Sequence, residues 1–223
     1  MLLASNWHPK LLRWEQEQDL KKSGWSLKSS IPSPATFEVN FKAIQSGQLI
    51  VTSGNYNLKA NELIKLPSIR KPLKSFPLIF IDENLFLKMG KKEEKFFDDS
   101  FSKDIKSHEI ISFYFEDQKR KGILFLNWTR SFLNFLQKTY GMIVPWEKII
   151  IVPVDADFEQ VEIINNLVFV PLPNYKRSEL MDRQALGFLT RSLGKLWFGE
   201  SIWNDQEKQL WLSLGIPAFL GLR

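Results

Sequence analysis

The stretch that decides the fold reads Thr190-Arg-Ser-Leu-Gly-Lys-Leu-Trp-Phe-Gly199, followed after ten residues by Leu210-Trp-Leu-Ser-Leu-Gly-Ile-Pro-Ala-Phe219. Within it, Arg191 and Lys195 stand four positions apart, and Ser192 directly follows Arg191. Eighteen residues, 196 to 213, separate Lys195 from Leu214. Because residues four apart lie on one side of a helix, this spacing predicts that Arg191 and Lys195 share one helical face.

Two helices are predicted around this stretch. Ser178 is a suitable N-cap for a helix that runs to about Trp197, and a second helix is predicted from about Glu207 to Leu214. The first helix has an apolar stripe that predicts its buried side. This stripe comprises Leu186, Leu189, Leu193, Leu196 and Trp197. A different face carries Gln184, Phe188, Arg191 and Lys195.

The segment before these helices predicts alternating strands and one helix. Lys148–Val154 and Leu167–Val170 are short apolar runs typical of buried strands, and His108–Phe115 is rich in β-branched and aromatic residues. Leu126–Tyr140 has helical spacing and ends at a glycine, Gly141. The charged segment Glu116–Gly122 is predicted to be a hairpin turn.

The first third of the chain predicts a small antiparallel β module after loops and a short strand in residues 1–30. Thr36–Lys42 alternates apolar and polar residues, and Gln48–Thr52 is a second apolar run, with turn signals between and after them. Leu66–Lys74 is basic, contains proline and resembles a linker. Phe76–Ile81 predicts a further short strand.

Composition limits the chemistry that the chain can perform. The 223 residues include no cysteine and two histidines, His8 and His108. Disulfides and thiolate metal sites are therefore excluded, and the two histidines are a poor supply of nitrogen ligands for a zinc site. No metal or other cofactor is expected.

The net charge of +5 indicates a mildly basic, lysine-rich surface. A nucleic-acid or anionic-membrane surface stays an alternative, because it needs that charge to be clustered on one face. No apolar run is long enough to span a bilayer, and the N-terminus lacks the pattern of a signal peptide. A cytoplasmic location is favoured on these grounds.

Several motifs now point to one family. They are Tyr140-Gly141, Pro145-Trp146 before the strand 148–154, the strand 167–170, Trp197-Phe-Gly199 and Leu210-Trp-Leu212. In this order and spacing the chain resembles the zinc aminopeptidases of the gluzincin class, of the membrane-alanyl and puromycin-sensitive type. The resemblance implies an α+β fold: a thermolysin-like domain at 73–223, preceded by part of a β-rich domain at 1–72. It also implies that the chain stops before the family's helical C-terminal domain.

The resemblance fails at the residues that carry the family's chemistry. The two histidines of its H-E-x-x-H motif fall on Arg191 and Lys195, its catalytic glutamate on Ser192, and its third zinc ligand on Leu214. Arginine is permanently cationic, leucine has no donor atom, and serine is a poor general base. This implies a degenerate zinc site without a metal or catalytic residues.

The resemblance also implies a ligand cleft. The family's G-x-M-E-N loop aligns with residues 160–166, where Glu162 takes the part of the amine-binding carboxylate only after a shift of one residue. The expected cleft lies between strand 167–170 and helix 178–197, and a ligand is expected to pair beside that strand. Its residues would be Glu162, Gln184, Phe188, Arg191 and Lys195.

The leading interpretation is a non-catalytic, peptidase-like module that binds a peptide or protein. One alternative is an active zinc aminopeptidase with ligands supplied from elsewhere, and another is a basic module for anions, nucleic acid or a membrane surface. For Arg191 and Lys195 themselves, pairing with acids such as Glu162, Glu200 or Asp205 competes with a new anion site. A Ser192 nucleophile with Lys195 as its base is a further, weaker hypothesis.

Overall fold

The computed structural model describes residues 2–4, 12–16, 25–29, 40–41, 48–53, 55–56, 64–65, 77–82, 87–89, 109–155, 160–177, 183–202 and 209–221. The strands are β1 (Leu2–Ala4), β2 (Leu12–Gln16), β3 (Trp25–Ser29), β4 (Asn40–Phe41), β5 (Gln48–Thr52), β6 (Asn55–Tyr56), β7 (Ile64–Lys65), β8 (Leu78–Asp82), β9 (Leu87–Met89), β10 (Glu109–Tyr114), β11 (Lys148–Val154), β12 (Glu162–Ile164) and β13 (Leu167–Pro171). The α-helices are α1 (Lys119–Tyr140), α2 (Leu172–Arg177), α3 (Arg183–Leu193) and α4 (Ile216–Gly221). Single 3-10 turns cover Glu116–Gln118 and Gly194–Leu196, and a π-helical segment covers Trp211–Gly215.

A five-stranded mixed sheet forms the centre, in the order β12-β13-β11-β10-β9. Strands β10, β11 and β13 run parallel, whereas β9 and β12 are antiparallel to their neighbours. All residues of β11 after Lys148 are buried, and so is the whole of β13. This explains why the predicted strands 148–154 and 167–170, both confirmed, read as continuous apolar runs.

Helix α1 connects β10 to β11 and corrects the prediction for this segment. The predicted hairpin turn at Glu116–Gly122 is wrong, because β10 and β11 are parallel and parallel neighbours need a crossover connection. The chain therefore turns once in a 3-10 helix and starts α1 at Lys119. The predicted end is confirmed: Gly141 adopts φ 65°, and its N–H bonds to Gln137 O at 2.8 Å.

Two apolar layers hold the central sheet. On one face, Val51 of β5 and Ile79 of β8 pack against side chains of the sheet. Those side chains are Ile111, Phe113, Ile150, Val152, Val154, Leu167 and Phe169. On the other face, α1 and α3 pack against Ile149, Ile151, Val168 and Val170. The sheet is thus buried between a β layer and a helical layer, an arrangement that suits an α+β fold.

The helix pair predicted from the opening stretch exists, with different ends. Helix α3 stops at Leu193, and a 3-10 turn carries the chain through Lys195. The second helix does not end at Leu214: the π-helical segment passes into α4, which reaches Gly221. The wider π turn places Pro217 in the first turn of α4, where proline is tolerated. None of the described helices is long and apolar enough to cross a membrane.

The N-terminal strands form smaller antiparallel sheets. The predicted strand Gln48–Thr52 is confirmed as β5, which lies in a four-stranded sheet of order β1-β8-β5-β6. Of the predicted strand 36–42, the described part is β4, which pairs with β7. Strand β8 pairs with β5, so that residues on both sides of position 72 share one sheet. The division at 72/73 stays a prediction.

Candidate functional site

Helix α3 lies between the edge strand β12 and helix α4, and short contacts fix it to both. The hydroxyl of Ser192, which is 5% exposed, donates to Val161 O at 2.5 Å. On the opposite side, Thr190 Oγ1 lies 3.2 Å from Gly221 O. One turn of α3 therefore links the start of the edge strand to the last turn of α4.

The packing of α3 against α4 depends on two glycines. A Cβ atom added at Gly194 would lie 2.7 Å from Pro217 Cα, and one added at Gly221 would lie 2.6 Å from Arg191 N. Contacts that short are not tolerated between carbon and backbone atoms, so both positions require glycine for the observed approach. Gly187, in α3, faces open space instead.

Lys195, in the 3-10 turn after α3, and Glu162 of β12 form an ion pair with 3.3 Å between Nζ and Oε2. The side chains are 25% and 44% exposed. A pair this accessible contributes at most about 1 kcal/mol to stability. The prediction that Lys195 pairs with an acid such as Glu162 is confirmed.

Glu200 has a different role from the predicted one. Its Oε2 accepts the backbone N–H of Asn165 at 2.8 Å. Asn165 has φ 57° and is the first residue of the two-residue turn between β12 and β13. A carboxylate at this N–H stabilises a backbone conformation that suits asparagine better than most residues.

Arg191 is half-buried. Its guanidinium forms no ion pair or hydrogen bond with any residue that the structure describes. Neither Glu162 nor Glu200 is its partner, and Asp205 lies outside the described residues. Helical periodicity places Arg191 on the same face as Gln184 and Phe188, one turn before Lys195. Of these neighbours, Gln184 is exposed and Phe188 is half-buried.

Leu214 lies on the π-helical segment with half of its surface, 51%, exposed. Trp211, one turn before it, is 63% exposed. Both of these large apolar side chains therefore lie largely on the surface. Leu214 has no atom that could bind a metal or carry a proton.

The four positions that the resemblance aligns with a zinc motif carry side chains that do not suit zinc binding. Arg191 is cationic, Lys195 is paired with a carboxylate, Leu214 lacks a donor atom, and the Ser192 hydroxyl donates a hydrogen bond to a backbone carbonyl. The same contacts oppose a Ser192 nucleophile, since Lys195 is engaged by Glu162 rather than by Ser192. Among the described residues, no three histidine, aspartate or glutamate side chains converge. His8 and His108 lie outside those residues.

The predicted docking edge is wrong. A ligand cannot pair beside strand 167–170, because β11 bonds to one side of β13 and β12 bonds to the other. The sheet edge that faces this cleft is β12, which the sequence prediction treated as a loop. Ile163 is buried in this strand, whereas Glu162 beside it reaches Lys195.

The junction at Asn165 was missed from the sequence. Besides its bond to Glu200, Asn165 donates from Nδ2 to Ser53 Oγ at 2.8 Å, which ties the β12–β13 turn to the residue after β5. Asn166 donates to Lys148 O at 3.0 Å. The signal was available: two adjacent asparagines between apolar runs are a hairpin pattern.

The fold is similar to that of several solved M1 zinc metallopeptidases. An M1 zinc metallopeptidase from Deinococcus radiodurans is 15% identical, with a TM-score of 0.58 over 87% of this chain. A glutamate-to-alanine mutant from the same organism, bound to a Tyr-Ser-Ala substrate, is 14% identical with a TM-score of 0.59. A two-domain M1 mutant bound to L-tryptophan gives the same two values.

Comparison of the sequence identifies no family for the chain. No family model matches the chain, and no curated protein matches it. The chain spans 41% of the length of the three solved structures. At such low identity the likeness establishes the mixed α+β fold of an M1 peptidase domain and leaves the activity to be argued from the residues.

Proposed function

We propose that this chain is a non-catalytic relative of the gluzincin zinc aminopeptidases and that its thermolysin-like domain binds a peptide or protein segment. The proposal rests on the contacts made by the side chains that the resemblance aligns with the zinc motif. On the fold of a zinc peptidase, Ser192 and Lys195 contact the edge strand, and Leu214 is an exposed apolar side chain. The positions that would do chemistry in the family contribute packing here.

The absence of hydrolysis follows from the chemistry of these side chains. A peptidase zinc ion needs about three protein ligands and a base that activates its bound water. Arg191 would repel the ion, and Lys195 would have to lose both its proton and its pairing with Glu162. Replacing one ligand weakens a metal site, but these substitutions remove every protein ligand and the base.

A peptide-binding surface is supported by the geometry of β12. In a two-residue hairpin the residues flanking the turn form the hydrogen-bonded pair, which here are Ile164 and Leu167. The N–H and C=O of Ile163 therefore face the outer edge, beside the α3 face that carries Arg191. An extended peptide can add to such an edge through main-chain hydrogen bonds. A similar structure holds a Tyr-Ser-Ala substrate.

Affinity selection from a random peptide mixture tests the proposal. The purified protein is incubated with the mixture, and retained and free peptides are identified by mass spectrometry. We expect a retained subset and no shortened peptides. Chelator-sensitive loss of N-terminal residues would instead favour an active aminopeptidase. Retention of no peptide, with steeply salt-dependent binding to heparin or DNA, would favour the basic module.

The docking mode has its own test on the ligand. A retained peptide is resynthesised with one backbone nitrogen methylated at a time. Because only alternate residues of a strand point their N–H groups to the partner edge, affinity should fall when the residue that pairs with Ile163 is methylated and not when either neighbour is. A uniform response along the peptide would contradict addition to β12.

A further inference from the structure

Helix α3, which packs beside β12, carries one half-buried cation that the described part of the chain does not neutralise. Lys195 is paired with Glu162, whereas the guanidinium of Arg191 has no acid or hydrogen-bond acceptor among the described residues. Partial burial of an unpaired charge is costly, and a bound anion relieves that cost. Since Lys195 already faces Glu162, that carboxylate does not cancel the charge of Arg191.

Arg191 is also fixed in position. Gly221 packs against its backbone from the side of α4, and the next residue, Ser192, is bonded to Val161 on the side of β12. Its side chain therefore leaves α3 between α4 and the edge strand. The planar guanidinium at the end of this side chain suits the two oxygens of a carboxylate.

The edge strand determines which part of a peptide reaches Arg191. Residues two apart in a strand face the same side, so that Val161 O points to the outer edge like the groups of Ile163. This carbonyl is already occupied by the Ser192 hydroxyl. A peptide that pairs with Ile163 cannot continue its pairing past Val161, and its chain has to end or leave the sheet there. Arg191 adjoins that point.

We propose that Arg191 binds the C-terminal carboxylate of a peptide whose last residues pair with Ile163. The inference rests on the proposed peptide-binding function and adds the polarity of the ligand. An aspartate or glutamate side chain offers the same carboxylate chemistry, and the experiment separates these two sources.

Three matched peptide libraries provide the test: one with free C-terminal carboxylates, one with C-terminal amides, and one of amides that carry an internal aspartate. Each is applied to the native protein by affinity selection, and the affinities of enriched peptides are measured by fluorescence anisotropy. The free acids should bind at least about 10-fold more tightly than their amides, the scale of one or two charge-assisted hydrogen bonds.

Variants of Arg191 assign the effect. Arg191→Gln should reduce the difference between acid and amide to within about twofold, and Arg191→Glu should make the amide the better ligand. Lys176→Gln removes an exposed charge from α2 and should leave the difference unchanged. Circular dichroism and melting temperature verify that each variant is folded; little change is expected, because the Arg191 guanidinium has no partner within the described residues.

The outcomes separate the two proposals. Equal binding of acids and amides would overturn the carboxylate inference while peptide binding itself stands. Internal aspartate peptides that bind as well as the free acids would overturn the assignment to a chain terminus. Binding by none of the three libraries would remove the proposed function and, with it, this inference.

Discussion

Replacing Ser192 by alanine tests whether this position holds the edge strand. The Ser192 hydroxyl is buried between α3 and the segment leading into β12, and it donates to Val161 O. Alanine removes the donor without adding volume, so that the carbonyl oxygen loses this partner at a site closed to solvent. The change therefore isolates one hydrogen bond at the position where a zinc aminopeptidase would carry its catalytic glutamate.

The expected cost is about 2 kcal/mol, the usual penalty for a buried polar group that loses its partner. For a chain of this length, each kcal/mol lowers the melting temperature by about 2–4 °C, so that a fall of about 4–8 °C is expected. The cost should exceed that of Lys195→Ala, because the Lys195–Glu162 pair is partly solvated.

Differential scanning calorimetry of Ser192→Ala and the native chain measures this cost. Ser131→Ala is the matched control, since Ser131 is an exposed residue of α1 and its replacement should change stability by less than about 0.5 kcal/mol. A Ser192→Ala variant that melts with the control would refute the structural role of this hydroxyl.

Two further predictions concern helix packing and alkaline stability. Gly194→Ala should destabilise the fold by about 1–3 kcal/mol, because its Cβ would collide with Pro217. Gly187→Ala should stabilise the fold by about 0.5–1 kcal/mol, because its Cβ would meet open space. Urea unfolding compares the two variants, and equal midpoints would contradict the close packing of Gly194 against Pro217. Burial, assisted by Asp117, raises the pKa of Tyr175. Unfolded tyrosine ionises near pH 10, so that stability is full below that pH and falls above it. Tyr175→Phe should lose less stability between about pH 9 and 11, and an unchanged loss would contradict this assignment.

The parts of the fold that were predictable have strong local signals. Strands β11 and β13 are apolar on both faces, and Gly141 ends α1 in the conformation that glycine favours. The start of α1 was not predictable in the same way. Its first turn is charged, and only the parallel pairing of β10 with β11 shows that a helix has to begin there.

The candidate site was likewise predictable only in part. The spacing from Arg191 to Leu214 locates the helix pair, and the chemistry of those residues argues against zinc. The contacts of these side chains depend on the tertiary structure. Ser192 bonds to Val161 because β12 forms the edge of the sheet beside α3. The strand β12 itself is only three residues long, too short for a periodic pattern to identify. The placement of the ligand edge at the longer strand β13 rests on the resemblance and not on a pattern in the chain.

We infer that the fold of a zinc peptidase persists here without its zinc site, and the zinc content of the purified chain measures this. The native chain is dialysed against buffered micromolar zinc beside a variant that combines Arg191→His, Ser192→Glu, Lys195→His and Leu214→Glu, and metal and protein are then quantified in both. We predict that the native chain retains only background zinc, whereas the variant gains affinity if the register of the four positions is right. A measured content close to one zinc ion per native chain would show that the chain still has a zinc site.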